Sequence, residues 1–151
     1  MSVGIGYDSH RFADGRRLVL GGVEIDHPRG LAGHSDADVL THAVIDALLG
    51  AAGMGDIGTL FPDDEDRWQD ADSIDLLRTV VGTVAGRIVN VDATLVCEEP
   101  RIGPFRAEME RILAEATSAR VSVKATTNEG MGWIGRGEGI ACMAVASVDS
   151  E

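Results

Sequence analysis

The sequence predicts an α+β fold: a single-domain α/β sandwich over residues 1–151, with a mixed sheet carrying its helices mainly on one face. Three observations carry this. Apolar residues alternate with period two around 3–7, 88–97, 121–126 and 140–148, but recur with helical spacing in three segments between them. The order strand–helix–strand from 88 to 127 fits a crossover between parallel strands. The 151 residues suffice for one core and contain no repeat, linker or low-complexity segment.

Each element follows in order. Val3, Ile5 and Tyr7 alternate with Gly4, Gly6 and Asp8, the pattern of a strand. Arg17 to Ile25 reads as a further strand or hairpin, broken at Gly21-Gly22. Ser35 is placed as an N-cap, with Asp38 three residues on as an acidic capping-box variant. The helix it opens is expected from about Asp36 to about Ala52, ending near Gly53, with Val39, Leu40, Ala43, Val44, Ala47 and Leu48 inward. Asp38, His42 and Asp46 then form a polar stripe. Residues 53–70 read as a loop. A second helix follows Ser73, using Leu76, Leu77, Val80, Val81 and Val84. Ile88 to Cys97 is a strand. Pro104 opens a third helix with Phe105, Met109, Ile112, Leu113 and Ala116 inside. Val121 to Thr126 is a strand, followed by a glycine-rich loop. Ile140 to Val148 is apolar on both faces and so is expected to be covered on both, by helices on one side and a neighbouring subunit on the other.

Composition narrows the function. The formal net charge is −12, a field that repels nucleic-acid backbones and leaves no role for nucleic acid as a partner. It also repels a small anionic substrate unless metal ions or local cationic and N–H groups offset it. No apolar run is long enough to span a bilayer, and no signal peptide is expected. Cys97 and Cys142, the only cysteines, form no C-x-x-C and sit in apolar strands. They read as buried free thiols in a reducing, cytoplasmic setting. The nineteen glycines cluster at 130–139, where tightly turned backbone marks a site or an interface.

Four separated segments bear the chemistry. Asp8 and His10 share one face of a strand, Gly4 and Gly6 on the same face leave space beside them, and His42 comes from the helix. One carboxylate and two imidazoles form a three-ligand zinc set with a position open to a substrate oxygen, and Asp38 or Asp46 is placed to orient His42. On spacing alone a second reading stands level: His42 as a helix histidine bonded to Asp46, with Asp8 and His10 as polar groups at a strand end. His34 and Ser35, at the expected helix start, face free N–H groups that favour phosphate. Capping alone accounts for Ser35, and His34 fits either reading. Asp56, between Gly55 and Gly58, suits sugar hydroxyls or a solvated turn, and Asp63 to Asp66 an exposed acidic turn. Thr126-Thr127-Asn128-Glu129 offers hydroxyls and N–H groups to phosphate, with Glu129 as a ligand for a hard cation. Gly130-Met131-Gly132-Trp133-Ile134-Gly135 satisfies G-x-G-x-x-G, but it leads into a strand-like run rather than a helix, which argues against dinucleotide binding.

Together these strings resemble the 2-C-methyl-D-erythritol 2,4-cyclodiphosphate synthase family over nearly the whole chain. The resemblance rests on Gly6-Tyr7-Asp8-Ser9-His10, Leu20-Gly21-Gly22-Val23, His34-Ser35-Asp36-Ala37-Asp38 with His42, and Asp46 through Ala52. It continues through Gly55-Asp56-Ile57-Gly58, Leu60-Phe61-Pro62-Asp63, Ala71-Asp72-Ser73, Asn90-Val91-Asp92, Lys124 to Thr127, Glu129 and Gly135 to Ala141. It implies a homotrimer with active sites between subunits and a small CDP-linked substrate cyclised with release of CMP. It implies one zinc per subunit on Asp8, His10 and His42, and magnesium or manganese on Glu129. His34 and Thr127 would act on the transition state, and Ser35 on phosphate. The methylerythritol part would lie against Asp56, Ile57, Gly58, Phe61, Pro62, Asp63, Asp64, Glu65 and Arg136. Cytidine would lie against Cys97, Pro100, Arg101, Ile102, Gly103, Ala125, Thr126 and Thr127. Trp133 and Arg136 would line a cavity on the trimer axis. Two rival readings keep parts of this pattern: a zinc-dependent phosphohydrolase of nucleotide diphosphates, and a non-catalytic trimeric nucleotide-binding regulator.

Overall fold

A computed structural model describes residues 1–150. Its first strand, β1 (Ser2–Ala13), is long, and its two faces have opposite fates. Gly4 and Gly6 point inward and are buried, whereas Val3, Ile5 and Tyr7 point outward and are 65, 72 and 55 % exposed. The apolar face of this strand is therefore the open one. The glycine face packs on a helix so closely that a Cβ at Gly4 would stand 2.0 Å from the Ala47 carbonyl oxygen, and one at Gly6 1.9 Å from that of Ala43. The space expected beside these glycines is filled by helix backbone.

That helix, α1 (Val39–Ala52), starts three residues later than its sequence pattern predicts, and Asp38 rather than Ser35 is its cap. The Asp38 carboxylate accepts from Thr41 N and Oγ1, and also from the backbone N–H groups of Gly21 and Gly22. A short hydroxyl could serve only one of these tasks, whereas a carboxylate with two oxygens ties the helix start to a neighbouring turn. The turn joins β2 (Leu18–Leu20) and β3 (Val23–Ile25), so of the strand or hairpin expected here the structure has the hairpin. Gly21 and Gly22 both adopt positive φ, +59° and +76°, as a tight two-residue hairpin connection requires. Gly53 closes α1 in the left-handed conformation, as expected.

β4 (Gly30–Leu31) pairs with the far end of β1. Residues 53–70 are more ordered than a loop: they hold a one-turn helix, α2 (Ile57–Leu60), capped by Asp56, and a 3-10 turn at Asp66–Trp68. α3 (Ser73–Thr83) begins at the expected serine, with Asp72 as its cap. β5 (Arg87–Val96), α4 (Arg106–Thr117) and β6 (Arg120–Thr126) form the crossover, with β5 and β6 parallel in register Val91 to Val121. The glycine-rich segment contains a short helix, α5 (Gly132–Gly135), not foreseen in the sequence; it does not extend far enough to build a phosphate-binding helix start. β7 (Gly139–Asp149) completes a five-stranded mixed sheet in the order β4–β1–β7–β5–β6.

The core lies between this sheet and α1, α3 and α4. Ile140, Cys142, Ala144 and Ala146 of β7 enter it, as expected for one face of that strand. On the other face Ala141 is covered by Val96, Ile134 and Trp133, but Met143 and Val145 remain 45 and 42 % exposed. Paired with Tyr7 and Ile5 across β1–β7, they make a continuous apolar strip on the open side of the sheet. Both cysteines are buried and free.

Candidate metal centre

The close seat of β1 on α1 sets Asp8 and His10 against His42. One donor atom from each of the three lies within 4.8 Å of the others. Asp8 Oδ2 is 2.9 Å from His10 Nε2 and 3.1 Å from His42 Nδ1, and the two rings meet edge to face with centroids 5.5 Å apart. Donors about 2 Å from one tetrahedral zinc ion stand about 3.3 Å from each other. The two spacings from Asp8 are a few tenths shorter and all three donors lie within 4.8 Å, so the trio fits a single ion.

The neighbours decide which ring nitrogens carry hydrogen. His10 Nδ1 donates to the Ala32 carbonyl oxygen at 2.7 Å, which leaves the Nε2 lone pair facing Asp8. That Nε2 is buried and has no well-formed hydrogen bond despite its nearness to the carboxylate. His42 Nε2 lies 2.8 Å from Ser73 Oγ and 3.2 Å from Ser35 Oγ, and its Nδ1 faces Asp8. Neither Asp38 nor Asp46 orients His42, contrary to both sequence readings of this stripe. Asp38 is occupied with capping, and Asp46 accepts from the Ile57 N–H at 2.8 Å, tying α2 to α1.

Electrostatics agree that the space between the three donors favours positive charge. Burial would raise the Asp8 carboxyl, but the imidazoles of His10 and His42 beside it outweigh burial and hold it down at about 2. Burial would lower His10, yet Asp8 beside it moves the imidazole upward instead. Zinc or protons would fill the same role; a carboxylate and two imidazoles are a donor set that zinc accepts.

A cavity of about 490 Å³ opens beside the trio, lined by His10, His34, Ser35, His42, Ile57, Gly58, Phe61, Pro62, Asp63 and Asp64. Trp68, which the sequence did not single out, closes it and meets Phe61 edge to face at 4.8 Å. His34 and Ser35 reach this cavity from a turn ahead of α1 rather than from the helix itself. Arg16 holds that turn, donating from Nη2 to the Ser35 carbonyl oxygen at 2.8 Å and from Nε to that of Leu31 at 3.0 Å. Ala37 within it takes φ +57°, a strain of about 1–2 kcal/mol held in place by the flanking aspartates. Asp56 is spent on α2, where its Oδ1 accepts from Thr59 N and Oγ1, and those bonds lower its pKa. Glu65 pairs with Arg67 outside the cavity lining.

The remaining candidates gather elsewhere. Cys97, Pro100, Arg101, Ile102, Gly103, Ala125, Thr126 and Thr127 share a second cavity of about 470 Å³. Glu129, exposed at φ +55°, lies in the loop beyond it. Glu98, missed in the sequence, shapes that loop by accepting from the N–H groups of Asn128 and Gly130. Trp133 lines a third cavity, of about 560 Å³, with Arg11, Phe12, Arg29 and Glu138, and Arg136 pairs with Glu138 at its edge. Neither Thr127 nor Glu129 lines the cavity of the metal trio.

Comparison with known proteins agrees with this fold. The model of the YgbB family matches residues 1–149. The chain is similar to a 2-C-methyl-D-erythritol 2,4-cyclodiphosphate synthase of Symbiobacterium thermophilum, 59 % identical over 98 % of both chains. It is also similar to a solved synthase in its CDP-bound form, with 35 % identity, 97 % of this chain and 99 % of that one covered, and a TM-score of 0.87. Against the bifunctional IspDF from Campylobacter jejuni the TM-score is 0.92 at 39 % identity, and the match spans 96 % of this chain but 41 % of that longer one. With a family model spanning residues 1–149 and a relative 59 % identical over nearly the full length, this chain belongs to the YgbB family.

Proposed function

We propose that this single-domain chain is a 2-C-methyl-D-erythritol 2,4-cyclodiphosphate synthase, a lyase of non-mevalonate isoprenoid precursor synthesis. Its substrate is 4-diphosphocytidyl-2-C-methyl-D-erythritol 2-phosphate. An oxygen of the 2-phosphate attacks the β-phosphorus; that P–O bond forms as the bond to the CMP oxygen breaks, and CMP leaves with the electron pair. The observation that carries the reading is the convergence of Asp8, His10 and His42 on one point beside a cavity that also holds His34 and Ser35.

Asp8, His10 and His42 hold zinc, and Glu129 holds magnesium or manganese. Bound there, divalent cations supply Lewis-acid polarisation and neutralise phosphate charge, which a protein of net charge −12 needs to accept a polyanion. The chain's own groups do the positioning. With its oxygen accepting from the Ala37 N–H, the Ser35 hydroxyl can turn its hydrogen into the cavity toward a phosphate oxygen. His34 lies on the same wall, and Thr127 acts from the nucleotide side. Ile57, Gly58 and the Phe61–Asp64 turn enclose the methylerythritol part, with Asp56 and Glu65 at the rim. The cavity from Cys97 to Gly103 with Ala125 to Thr127 takes cytidine. Bending the substrate so that nucleophile and phosphorus meet replaces a bimolecular encounter with an oriented one.

The nucleotide-side residues line a cavity separate from that of the trio, which suits a homotrimer whose sites are shared between subunits. One protomer offers the trio and His34, its neighbour Thr127, Glu129 and the cytidine cavity. The open apolar strip of β1 and β7 is the surface that assembly would cover, and the Trp133–Arg136 region would then face the axis. The buried free thiols suit a reducing cytoplasm. Incubation of purified protein with the CDP-linked substrate is the test. The expected products are the cyclic diphosphate and CMP in equal amounts, lost on chelation and in His42→Ala. An open-chain phosphate would identify a phosphohydrolase instead, and binding without turnover a regulator.

A further inference from the structure

His42 is backed by two residues that no ligand role explains. Ser73 is the first residue of α3 and is fully buried, yet it does not cap its helix: Asp72 does, accepting from Ile74 N at 2.8 Å. The Ser73 hydroxyl is turned instead toward His42 Nε2, 2.8 Å away. Asp36 likewise leaves the capping of α1 to Asp38. Its Oδ2 accepts from the Ser73 N–H at 3.0 Å, and its Oδ1 accepts from the Ser73 hydroxyl. A carboxylate has no hydrogen to give. The Ser73 hydroxyl therefore donates to Asp36, and its oxygen is left to accept from His42. That assigns the hydrogen of His42 to Nε2 and exposes the Nδ1 lone pair to Asp8, 3.1 Å away.

We propose that Asp36 and Ser73 form a hydroxyl-bridged relay that fixes the tautomer and ring orientation of His42 for metal binding. They are positioning residues: neither is among the three donors that converge. A second consequence is mechanical. The relay ties the 34–38 turn to the start of α3, two segments 37 residues apart, so His34 and Ser35 are set by the same bonds that set His42. The proposal rests on the reading of Asp8, His10 and His42 as a metal centre.

Two measurements separate the relay from that reading. Long-range nitrogen–proton NMR on the metal-free wild-type protein, at a pH where imidazole is neutral, reads the His42 tautomer without any metal. The expected form carries hydrogen on Nε2; hydrogen on Nδ1 overturns the proposal. Zinc affinity, measured against a competing chelator, is then compared between wild type, Ser73→Ala, Asp36→Asn and Ser73→Thr. Loss of the hydroxyl or the carboxylate is expected to weaken zinc about 10- to 100-fold, with Ser73→Thr recovering most of the loss. Circular dichroism checks that each variant is folded. Unchanged affinity in folded Ser73→Ala overturns the proposal. A wild-type protein that shows the Nε2–H form but binds no zinc overturns the metal centre instead, and with it the purpose assigned to the relay.

Discussion

Asp38 shows how much one side chain can hold. Its carboxylate is fully buried and accepts from Thr41 twice and from Gly21 and Gly22 once each. Burial first, and the charge of Asp36 after it, raise its pKa, against the bonds that lower it. Asp38→Ala would leave several buried donors without partners, at a cost of about 3 kcal/mol; urea unfolding measures it, and a loss below about 1 kcal/mol would contradict the capping role. The thiols are passive in the same environment. Burial, helped by Glu98, pushes Cys97 up to about 11 from 9.0, and burial pushes Cys142 higher still. Few thiolates exist at neutral pH, so labelling with a disulfide reagent should be slow until the protein is unfolded. The linkage has a definite sign: between pH 9 and about 11 the unfolded chain releases thiol protons that the folded chain keeps. Stability contributed by Cys97 is present below pH 9 and is lost as pH rises through that window. A denaturation midpoint that rises with pH there would reverse the assignment.

At the scale of elements, the contact of β1 with α1 builds the site. Periodicity alone identifies both elements, because alternation and helical spacing are written over a few residues. It does not say which face of β1 turns inward, and in the fold Val3, Ile5 and Tyr7 are the exposed ones. The inward face is made of glycine because the Ala43 and Ala47 carbonyls come so near. Gly6→Ala would push α1 off the strand and part His42 from Asp8 and His10. The expected result is a loss of about 3 kcal/mol together with weakened zinc uptake, checked by thermal unfolding and metal analysis of the same sample. Wild-type metal content would show that the close packing is not what joins the trio. The later start of α1 has a similar cause: the sequence from Ser35 to Asp38 offers several capping side chains, and the choice depends on the hairpin turn that Asp38 also binds.

For the whole molecule, the open strip on the sheet is the feature that a lone protomer leaves unresolved. Tyr7, Ile5, Met143 and Val145 form a row of apolar groups that water would penalise, by roughly 25 cal/mol for each Å² left uncovered. β7 reads as apolar on both faces, so a covering partner was expected from the sequence, and the proposed trimer supplies it. Val145→Glu places a charge in that strip without touching the core face. Light scattering should show wild type as a trimer and the variant as a smaller species, with product formation reduced at least tenfold because the proposed site draws on two subunits. A monomeric wild type with full activity would contradict the shared site.

What the sequence determined by itself is local in origin: element types from apolar period, a strand or hairpin broken at paired glycines, the crossover from element order, and, through the family resemblance, three candidate metal ligands. The tertiary structure decided which groups those side chains answer to. His42 meets Asp8 across 34 residues and Ser73 across 31, and no short-range pattern chooses among Asp38, Asp46, Ser35 and Ser73 as its neighbour. A hydrogen bond depends on tenths of an ångström and on direction, and these are set only once glycine-lined backbone has packed a strand against a helix.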